Sequence, residues 1–302
     1  MSQKYKGKFQ NKKAVCFRII LFWGLVILFS VGATDAYASE SKRENKVFQW
    51  EDYKVAAHAL GGMDNLTYLN SKESFVNAYE NGIRLFEVDL SRTSDGIWVC
   101  RHSWKESLGQ WNENDQRVLT YEEFISSSIY GQYTPMSFVD LLLLLKQYPD
   151  AYVMVDSKQY SVRSYQKTVE DYAELLEEAQ NAGAEKEMNK LIPEIYNQSM
   201  FSGIKLIYDF PAYIFSLWKE YTKQEIEEIA DFSKEKGILA AAVYSDYWTE
   251  EIQDIFDQRK IHVFVYTVND LKDARNYLKQ GVQGICSDFL LDPDLKTNKK
   301  EN

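Results

Sequence analysis

Short apolar runs alternate with longer amphipathic stretches along the chain from about residue 50 onward. A short apolar run is typical of a buried strand, whereas apolar residues three and four positions apart indicate one face of a helix. The predicted strands are residues 53–58, 85–90, 97–102, 152–156, 191–196, 205–208, 239–243, 262–268 and 284–287. The predicted helices are residues 74–81, 137–147, 165–182, 222–237 and 269–281. Such alternation favours a parallel sheet with helices packed against it.

Two of the predicted helices carry clear boundary signals. Thr222 is followed three residues later by Glu225, which is a capping-box pattern, and Gly237 ends the amphipathic stretch. The last helix repeats this plan, with Asn269 as the expected N-cap and Gly281 as the stop.

The number of strands selects the fold class. Nine predicted strands are one more than a (β/α)8 barrel needs. The second and third are separated by a short segment containing Asp95-Gly96, a dipeptide typical of hairpin turns. We therefore predict an α/β protein with a (β/α)8 TIM barrel, in which residues 97–102 form a β-hairpin flap after the second barrel strand. A doubly wound sheet is the alternative, but the chain has no Gly-x-Gly-x-x-Gly after a predicted strand.

The first 38 residues have the pattern of a secretory signal peptide. Basic residues precede an apolar stretch at residues 19–33, and Ala36-Tyr37-Ala38 is a small-x-small cleavage pattern. The apolar stretch is shorter than the roughly 20 residues that span a bilayer, and an uncleaved membrane anchor is the alternative. We expect residues 39–50 to form a flexible lead-in and residues 51–302 to form a secreted or extracytoplasmic barrel domain.

The charge balance argues against one class of partner. The 302 residues include 35 basic and 45 acidic ones, for a net charge of −10. Without residues 1–38, which hold six basic residues and one acidic residue, 29 basic and 44 acidic residues remain, for a net charge of −15. Nucleic-acid binding needs a basic surface and is therefore not expected. Cys100 and Cys286 lie in apolar runs and are expected to be buried free thiols, with a single disulfide as the alternative. No oligomeric state is predicted.

Polar residues follow several of the predicted strands, at the end where a barrel places its reactive groups. They are His58, Glu87, Asp89, His102, Asp156 and Lys158. Residues two apart on a strand share a face, so Glu87 and Asp89 should converge. His262 begins its strand instead, and we expect it at the opposite mouth with a structural role.

Each of these residues also has a structural interpretation. Acids at strand ends often cap the next helix, Asp156 and Lys158 could form an ion pair, and single histidines are more often packing residues. Three converging carboxylates are nevertheless hard oxygen ligands, which suit Ca²⁺ or Mg²⁺ rather than Zn²⁺. A lysine beside a hard cation indicates an oxyanion, and a phosphoryl group fits both.

The order of these motifs resembles the glycerophosphodiester phosphodiesterase family. The matching segments are His58 with Gly61-Gly62, Glu73-Ser74-Phe75, Glu87-x-Asp89, Asp95-Gly96, His102, Thr134-Pro135-Met136-Ser137, Asp156-Ser157-Lys158, Tyr266-Thr267-Val268-Asn269 and residues 281–288. The resemblance extends over roughly residues 53–293.

The resemblance implies a barrel that hydrolyses phosphodiesters with one divalent cation, Ca²⁺ or Mg²⁺. It implies Glu87, Asp89 and Asp156 as metal ligands, and His58 and His102 as the acid/base pair. Lys158 matches the phosphate-binding lysine of the family.

Three positions depart from the family pattern. Ala59 stands where the family usually has an arginine after the first histidine, Ser103 replaces an aspartate after the second, and Asp156 replaces a glutamate. Arg92 and Arg101 are nearby in the sequence and are candidates to compensate for the missing arginine. These changes affect the expected substrate more than the expected fold.

The resulting hypothesis is an exported, metal-dependent phosphodiester hydrolase that uses two histidines on glycerophosphodiesters or related lipid head-group or envelope phosphodiesters. Lys158, Trp104 and Tyr266 are its expected substrate contacts, although Trp104 could instead cover the apolar underside of the flap together with Trp111. The N-terminal segment could add membrane association. The alternative is a catalytically weakened barrel that binds an envelope phosphodiester polymer or a lipid head group.

Overall fold

The computed structural model describes residues 48–112, 117–158 and 164–296. The strands in this part of the chain are β1 (Val55–Ala57), β2 (Leu85–Arg92), β3 (Trp98–Cys100), β4 (Tyr152–Ser157), β5 (Leu191–Ile195), β6 (Ile214–Leu217), β7 (Ala240–Tyr244), β8 (His262–Tyr266) and β9 (Gly284–Ser287). The α-helices are α1 (Lys72–Glu80), α2 (Tyr121–Ser126), α3 (Phe138–Leu145), α4 (Tyr165–Asn181), α5 (Gln198–Ile207), α6 (Lys223–Lys236), α7 (Glu250–Asp257), α8 (Leu271–Lys279) and α9 (Asp292–Lys296).

All strands except β3 pair in parallel and form a closed barrel. The order of neighbours runs β1-β9-β8-β7-β6-β5-β4-β2, and β1 also pairs with β2, which closes the ring. The predicted (β/α)8 TIM barrel is therefore confirmed. The third strand, β3, pairs antiparallel with the end of β2, with Leu90 opposite Cys100 and Arg92 opposite Trp98. That this strand reaches over the barrel mouth as a flap stays a prediction.

Alternate residues of each strand face opposite sides of the barrel wall. On β2, Phe86 and Val88 belong to the main hydrophobic core, which includes buried side chains of the surrounding helices. Glu87 and Asp89, which alternate with these two residues along β2, are buried on the other face, inside the barrel. The same alternation on the other strands determines which side chains reach the mouth.

The helix-boundary predictions are confirmed at one helix and partly wrong at another. Thr222 and Glu225 form the predicted capping box at the start of α6, and Gly237 takes the left-handed conformation at its end. Helix α8, however, is capped by Asp270 rather than Asn269. The side chain of Asn269 is instead hydrogen-bonded to residues at the end of β9.

The predicted strand at residues 205–208 is wrong. Residues 205–207 belong to α5, which begins after Asn197, whose side chain accepts a hydrogen bond from the amide of Met200. The fifth barrel strand, β6, is Ile214–Leu217. A four-residue apolar run does not distinguish a strand from a buried helical turn, and this ambiguity explains the error.

Several other predictions can be compared with the described residues. Cys100 and Cys286 are buried and free, as expected. His262 begins β8 and contacts Glu51 at the mouth opposite the carboxyl ends of the strands, with 2.9 Å between Nε2 and Oε1. The predicted signal peptide at residues 1–38 and most of the lead-in lie outside the described residues. In the described part of the chain, no helix is long and apolar enough to cross a membrane.

Gly284 provides a test of barrel packing. A Cβ atom at this position of β9 would lie 2.6 Å from Cε1 of Phe264 and 2.9 Å from the carbonyl oxygen of Lys54. We expect Gly284→Ala to lower the free energy of unfolding by about 1–3 kcal/mol, because overpacking a dense interior forces neighbouring atoms apart. Urea denaturation measures this loss.

Gly237→Ala is the control for the Gly284 experiment. Its Cβ would meet no atom within 4 Å, but its φ of 72° disfavours a side chain. We expect a loss of about 1 kcal/mol there from backbone strain alone. A Gly284→Ala protein as stable as the native protein would contradict the close packing of β8 against β9.

Candidate active site

Three acidic side chains converge at the carboxyl ends of β2 and β4. One carboxylate oxygen each from Glu87, Asp89 and Asp156 lies within 4.8 Å of the other two, and all three residues are buried. The register of the parallel pair β2–β4 sets Asp89 beside Asp156, which explains why residues 67 positions apart meet. The sequence prediction that these acids converge therefore agrees with their position.

Burial and mutual repulsion perturb the titration of this acidic triad. Burial, followed by the negative charge of Asp89, raises the pKa of Glu87 to about 8. Burial would also raise the pKa of Asp89, but the ammonium group of Lys158 and the two nearby histidines lower it below its usual range. The three carboxylates together therefore strongly favour a positively charged group beside them.

Lys158 supplies part of that positive charge. Its Nζ atom lies 2.8 Å from Oδ1 of Asp89 and also contacts Asp156. Although burial opposes ionisation, these carboxylates raise the pKa of Lys158 well above its usual value, so the side chain is cationic. The predicted phosphate-binding lysine thus lies among the predicted metal ligands.

Neighbouring polar groups fix the orientation of each acid, and sequence reasoning did not identify them. The side-chain amide of Asn70 donates to Oδ2 of Asp89 at 2.7 Å, and its oxygen accepts from the Asp89 amide at 3.1 Å. The amide of Ala59 donates to Glu87 at 2.7 Å, and the hydroxyl of Tyr196 donates to Asp156. The sequence signal that could have identified Asn70 is that it is a polar residue next to the N-cap of a helix.

His58 is held by Asp288, which directly follows β9 and which sequence reasoning also missed as a site residue. The Nδ1–H group of His58 donates to Oδ1 of Asp288 at 2.8 Å. The side chain of Asn269 donates to the other carboxylate oxygen of Asp288 at 2.7 Å. Burial would lower the pKa of His58, but Asp288, together with nearby Glu87, outweighs it and raises the pKa to about 9. With Nδ1 engaged, Nε2 is the ring nitrogen that remains for a ligand.

His102 has a similar arrangement with less burial. Its Nδ1 atom lies 3.0 Å from Oε1 of Glu106, four residues later. The ring of Tyr68 lies between the two histidines, with centroids 5.1 Å from His58 and 4.5 Å from His102. The two predicted acid/base residues therefore both contact the ring of Tyr68, and both act electrostatically on Asp89 of the acidic triad.

The other two predicted substrate contacts, Tyr266 and Trp104, lie in different surroundings. Tyr266 ends β8, and its hydroxyl lies 3.5 Å from the hydroxyl of Ser216. Trp104 donates from its indole to the carbonyl of Arg92 at 3.0 Å and packs against Trp111 and Phe124 in a small apolar cluster beside β3. Its role as a substrate contact stays a prediction.

The two arginines near the site are engaged elsewhere. Arg92 pairs with Asp171 at 2.8 Å and with Glu174, both on α4. Arg101 is buried and donates to Gln110 and to the carbonyl groups of Ser103 and Glu106. Neither guanidinium group therefore stands in for the arginine that Ala59 replaces.

The acidic triad fits a hard divalent cation. It offers three buried carboxylates, and Oδ1 of Asp89 accepts no hydrogen bond of normal geometry from the described residues besides its ion pair with Lys158. Carboxylate oxygens are the ligands that Ca²⁺ and Mg²⁺ prefer. A divalent cation would also offset the repulsion that raises the pKa of Glu87.

Comparisons with known proteins agree with this geometry. The family model described as the glycerophosphoryl diester phosphodiesterase family matches residues 61–291. No curated protein shows significant similarity to the chain.

Three solved structures illustrate the similarity of fold. A glycerophosphodiester phosphodiesterase from Thermotoga maritima has 18% identity and a TM-score of 0.56, over 78% of this chain and 93% of the other. A phosphodiesterase from Oleispira antarctica, in complex with its product sn-glycerol-3-phosphate, has 16% identity and a TM-score of 0.62, over 78% and 93%. A protein from Silicibacter pomeroyi, named for glycerophosphoryl diester phosphodiesterase activity, has 18% identity and a TM-score of 0.63, over 78% and 90%. At such identities these similarities support the fold alone.

The pair formed by His58 and Asp288 can be tested by titration. In metal-free protein we expect a His58 pKa of about 9. Asp288→Asn should lower it toward the ordinary value of about 6.5, because the carboxylate that stabilises the imidazolium is removed. Histidine-resolved NMR over a pH series measures both values.

Glu51→Gln is the control for this titration, because it removes the acid beside His262 at the opposite mouth. It should leave the His58 pKa unchanged. A His58 pKa that is the same in Asp288→Asn and native protein would show that Asp288 does not control this imidazole.

Proposed function

The chain belongs to the glycerophosphoryl diester phosphodiesterase family and is a phosphoric diester hydrolase, and from this premise we propose that it cleaves small glycerophosphodiesters with one divalent cation and two histidines. The observation that carries the proposal is the position of His58 and His102 beside three buried carboxylates and Lys158. Carboxylates and a lysine suit a cation and a phosphoryl group, and the histidines suit proton transfer.

The charged residues would bind the phosphodiester. Glu87, Asp89 and Asp156 would hold one Ca²⁺ or Mg²⁺ ion, which when bound supplies Lewis-acid polarisation of the phosphoryl oxygens. Lys158 would neutralise the negative charge that develops on the phosphoryl group. Asn70 would keep Asp89 oriented, since polar partners of metal ligands commonly fix the ligand geometry.

The two histidines would divide the proton transfers between them. His58, kept cationic by Asp288, would protonate the departing alkoxide from Nε2. His102, held through Nδ1 by Glu106, would take the proton of the nucleophile. Both Nδ1 atoms face carboxylates, which supports assigning the chemistry to the two Nε2 atoms.

The nucleophile in this proposal is a hydroxyl of the substrate next to the phosphodiester. Its attack on phosphorus would form a cyclic phosphate as the alcohol leaves, and water would later open the ring. Glycerophosphodiesters carry such a hydroxyl, and a related lipid head-group or envelope phosphodiester would be a substrate only where a free hydroxyl adjoins its phosphodiester. The product bound to the Oleispira antarctica protein, sn-glycerol-3-phosphate, is consistent with a glycerol-containing substrate.

We further propose that the enzyme acts outside the cytoplasm. The support is the signal-peptide pattern in residues 1–38, with a basic segment, an apolar core and a small-x-small site. Substrates would then be phosphodiesters of the envelope or the surroundings.

The two-histidine scheme predicts the effect of single substitutions. We expect His58→Gln and His102→Gln each to lower kcat by about 10²- to 10⁴-fold, the usual contribution of a general acid or base. Chelation with EDTA should abolish activity, and added Ca²⁺ or Mg²⁺ should restore it. Glycerol phosphate release from glycerophosphodiesters measures each effect.

His262→Gln is the matched control, because His262 lies at the opposite mouth and should leave kcat unchanged. Circular dichroism would establish that each variant folds. Full activity of His102→Gln would rule out the two-histidine scheme, whereas substrate binding without turnover in the native protein would support a binding barrel instead.

The proposed cyclic phosphate predicts a requirement in the substrate. A glycerophosphodiester whose 2-hydroxyl is replaced by hydrogen should still bind but should not turn over, because it lacks the attacking oxygen. Steady-state kinetics and competition with the intact substrate separate these two effects. If the deoxy substrate and bis(p-nitrophenyl) phosphate are cleaved as fast as the intact substrate, water is the nucleophile instead.

A further inference from the structure

Tyr68 lies at the centre of the site, although the proposed chemistry gives it no role. Its ring contacts both proposed acid/base residues, with centroids 5.1 Å from the imidazole of His58 and 4.5 Å from that of His102. The side chain is only partly buried, so part of it remains accessible. A ligand that lies between the two histidines would therefore meet the phenol of Tyr68.

The loop between β1 and α1 holds Tyr68 in this position. Two residues later, the backbone amide of Asn70 donates to the carbonyl of Ala59 at 3.0 Å, which returns the loop to the end of β1. The adjacent Leu69 is fully buried in a small apolar cluster with Leu108, Ile129 and Tyr133. Both contacts anchor the backbone directly after Tyr68.

The backbone of this loop is strained at Tyr68 itself. Its φ is 56°, in the left-handed region, and Ala59 and Asn70 have φ values of 47° and 45°. Such conformations are unfavourable for residues that carry a Cβ atom, and they cluster at active sites and ligand contacts. The strain therefore suits a side chain that is placed for a ligand rather than for packing.

The hydroxyl of Tyr68 lies among the charges of the site but is not engaged by them. Among the described residues, none forms a hydrogen bond with it. Burial, followed by the negative charges of Asp89 and Asp288, raises the pKa of Tyr68, and the charge of Lys158 opposes this rise. The phenol therefore stays protonated near neutral pH and has one O–H group to donate.

Other donors near the acidic triad are already engaged within the described part of the chain. Lys158 contacts two of the three carboxylates, and the guanidinium groups of Arg92 and Arg101 are bound elsewhere. The two histidines are assigned to proton transfer. The hydroxyl of Tyr68 is thus an unengaged donor beside both of them.

We propose that Tyr68 donates a hydrogen bond from its hydroxyl to a non-bridging phosphoryl oxygen of the substrate, and that it is therefore a further catalytic residue of the site. This inference rests on the proposed function, because it adds a contact to the same phosphodiester. A fixed donor stabilises the negative charge that the phosphoryl oxygens carry during the reaction. A neutral phenol does so without adding a positive charge that would repel a divalent cation.

Proton transfer is the other role open to a phenol, and Tyr68 fits it less well. A general acid or base works best when its pKa lies near the working pH. The surroundings of Tyr68 move its pKa in the opposite direction, upward from an already high value. A donor that keeps its proton matches these surroundings better.

The test removes the hydroxyl and keeps the ring. We expect Tyr68→Phe to lower kcat/KM for glycerol ethyl phosphate by about tenfold to a hundredfold, because a hydrogen bond to a charged oxygen is lost. Histidine-resolved NMR should show a nearly unchanged His58 pKa, which separates loss of the donor from displacement of the imidazole. Tyr79→Phe is the matched control, since the Tyr79 hydroxyl donates to Asp150 at the opposite mouth, and it should keep the native kcat/KM.

The alcohol of the substrate separates a phosphoryl contact from proton transfer. Loss of a phosphoryl contact should lower kcat/KM about equally for glycerol ethyl phosphate and glycerol p-nitrophenyl phosphate. His58→Gln should instead affect the p-nitrophenyl ester much less, because p-nitrophenolate leaves with little help from an acid. A loss in Tyr68→Phe that is confined to the ethyl ester would make Tyr68 a proton donor and overturn the inference.

Calorimetric binding of sn-glycerol 3-phosphate in the presence of Ca²⁺ or Mg²⁺ gives a second measure that needs no turnover. Tyr68→Phe should weaken this binding by about tenfold, whereas Tyr79→Phe should not change it. Weakened binding would support the inference even if no diester were cleaved, a result that would contradict only the proposed function. Native binding together with native kcat/KM in Tyr68→Phe would overturn the inference and leave the phosphodiesterase in place.

Discussion

The cost of burying like charges together is the constraint on which the site depends. Glu87, Asp89 and Asp156 place carboxylate oxygens within 4.8 Å of one another in a region almost closed to water. Such an arrangement is stable only if cations and hydrogen-bond donors compensate it. Lys158, the side chain of Asn70 and the amide of Ala59 supply part of the compensation, and a divalent cation would supply the rest.

The geometry of parallel strands explains why these groups meet at all. In a closed barrel, each strand contributes alternate residues to the interior, and the last of them reach one mouth. The same rule brings Asp288 to His58 across 230 residues of sequence. One mouth therefore gathers the three carboxylates, Lys158 and the pair of His58 and Asp288.

Sequence reasoning found the groups whose signal is local and missed those defined by distant contacts. His58, Glu87 and Asp156 stand out because polar residues interrupt or end apolar runs, and their order matches a known family. Asp288 carries the same kind of local signal, but only the closed barrel shows that it holds His58. The strand at residues 214–217 was missed because a nearby helical turn has an equally apolar pattern.

The distribution of charges in the site shows what the replacement of arginine by Ala59 changes physically. Arg92 is bound to acids of α4, and Arg101 is held by the loop after β3, so within the described residues Lys158 is the cation that directly contacts the acidic triad. With fewer fixed cations, the site would depend on a divalent cation and Lys158 to balance the charge of a phosphodiester.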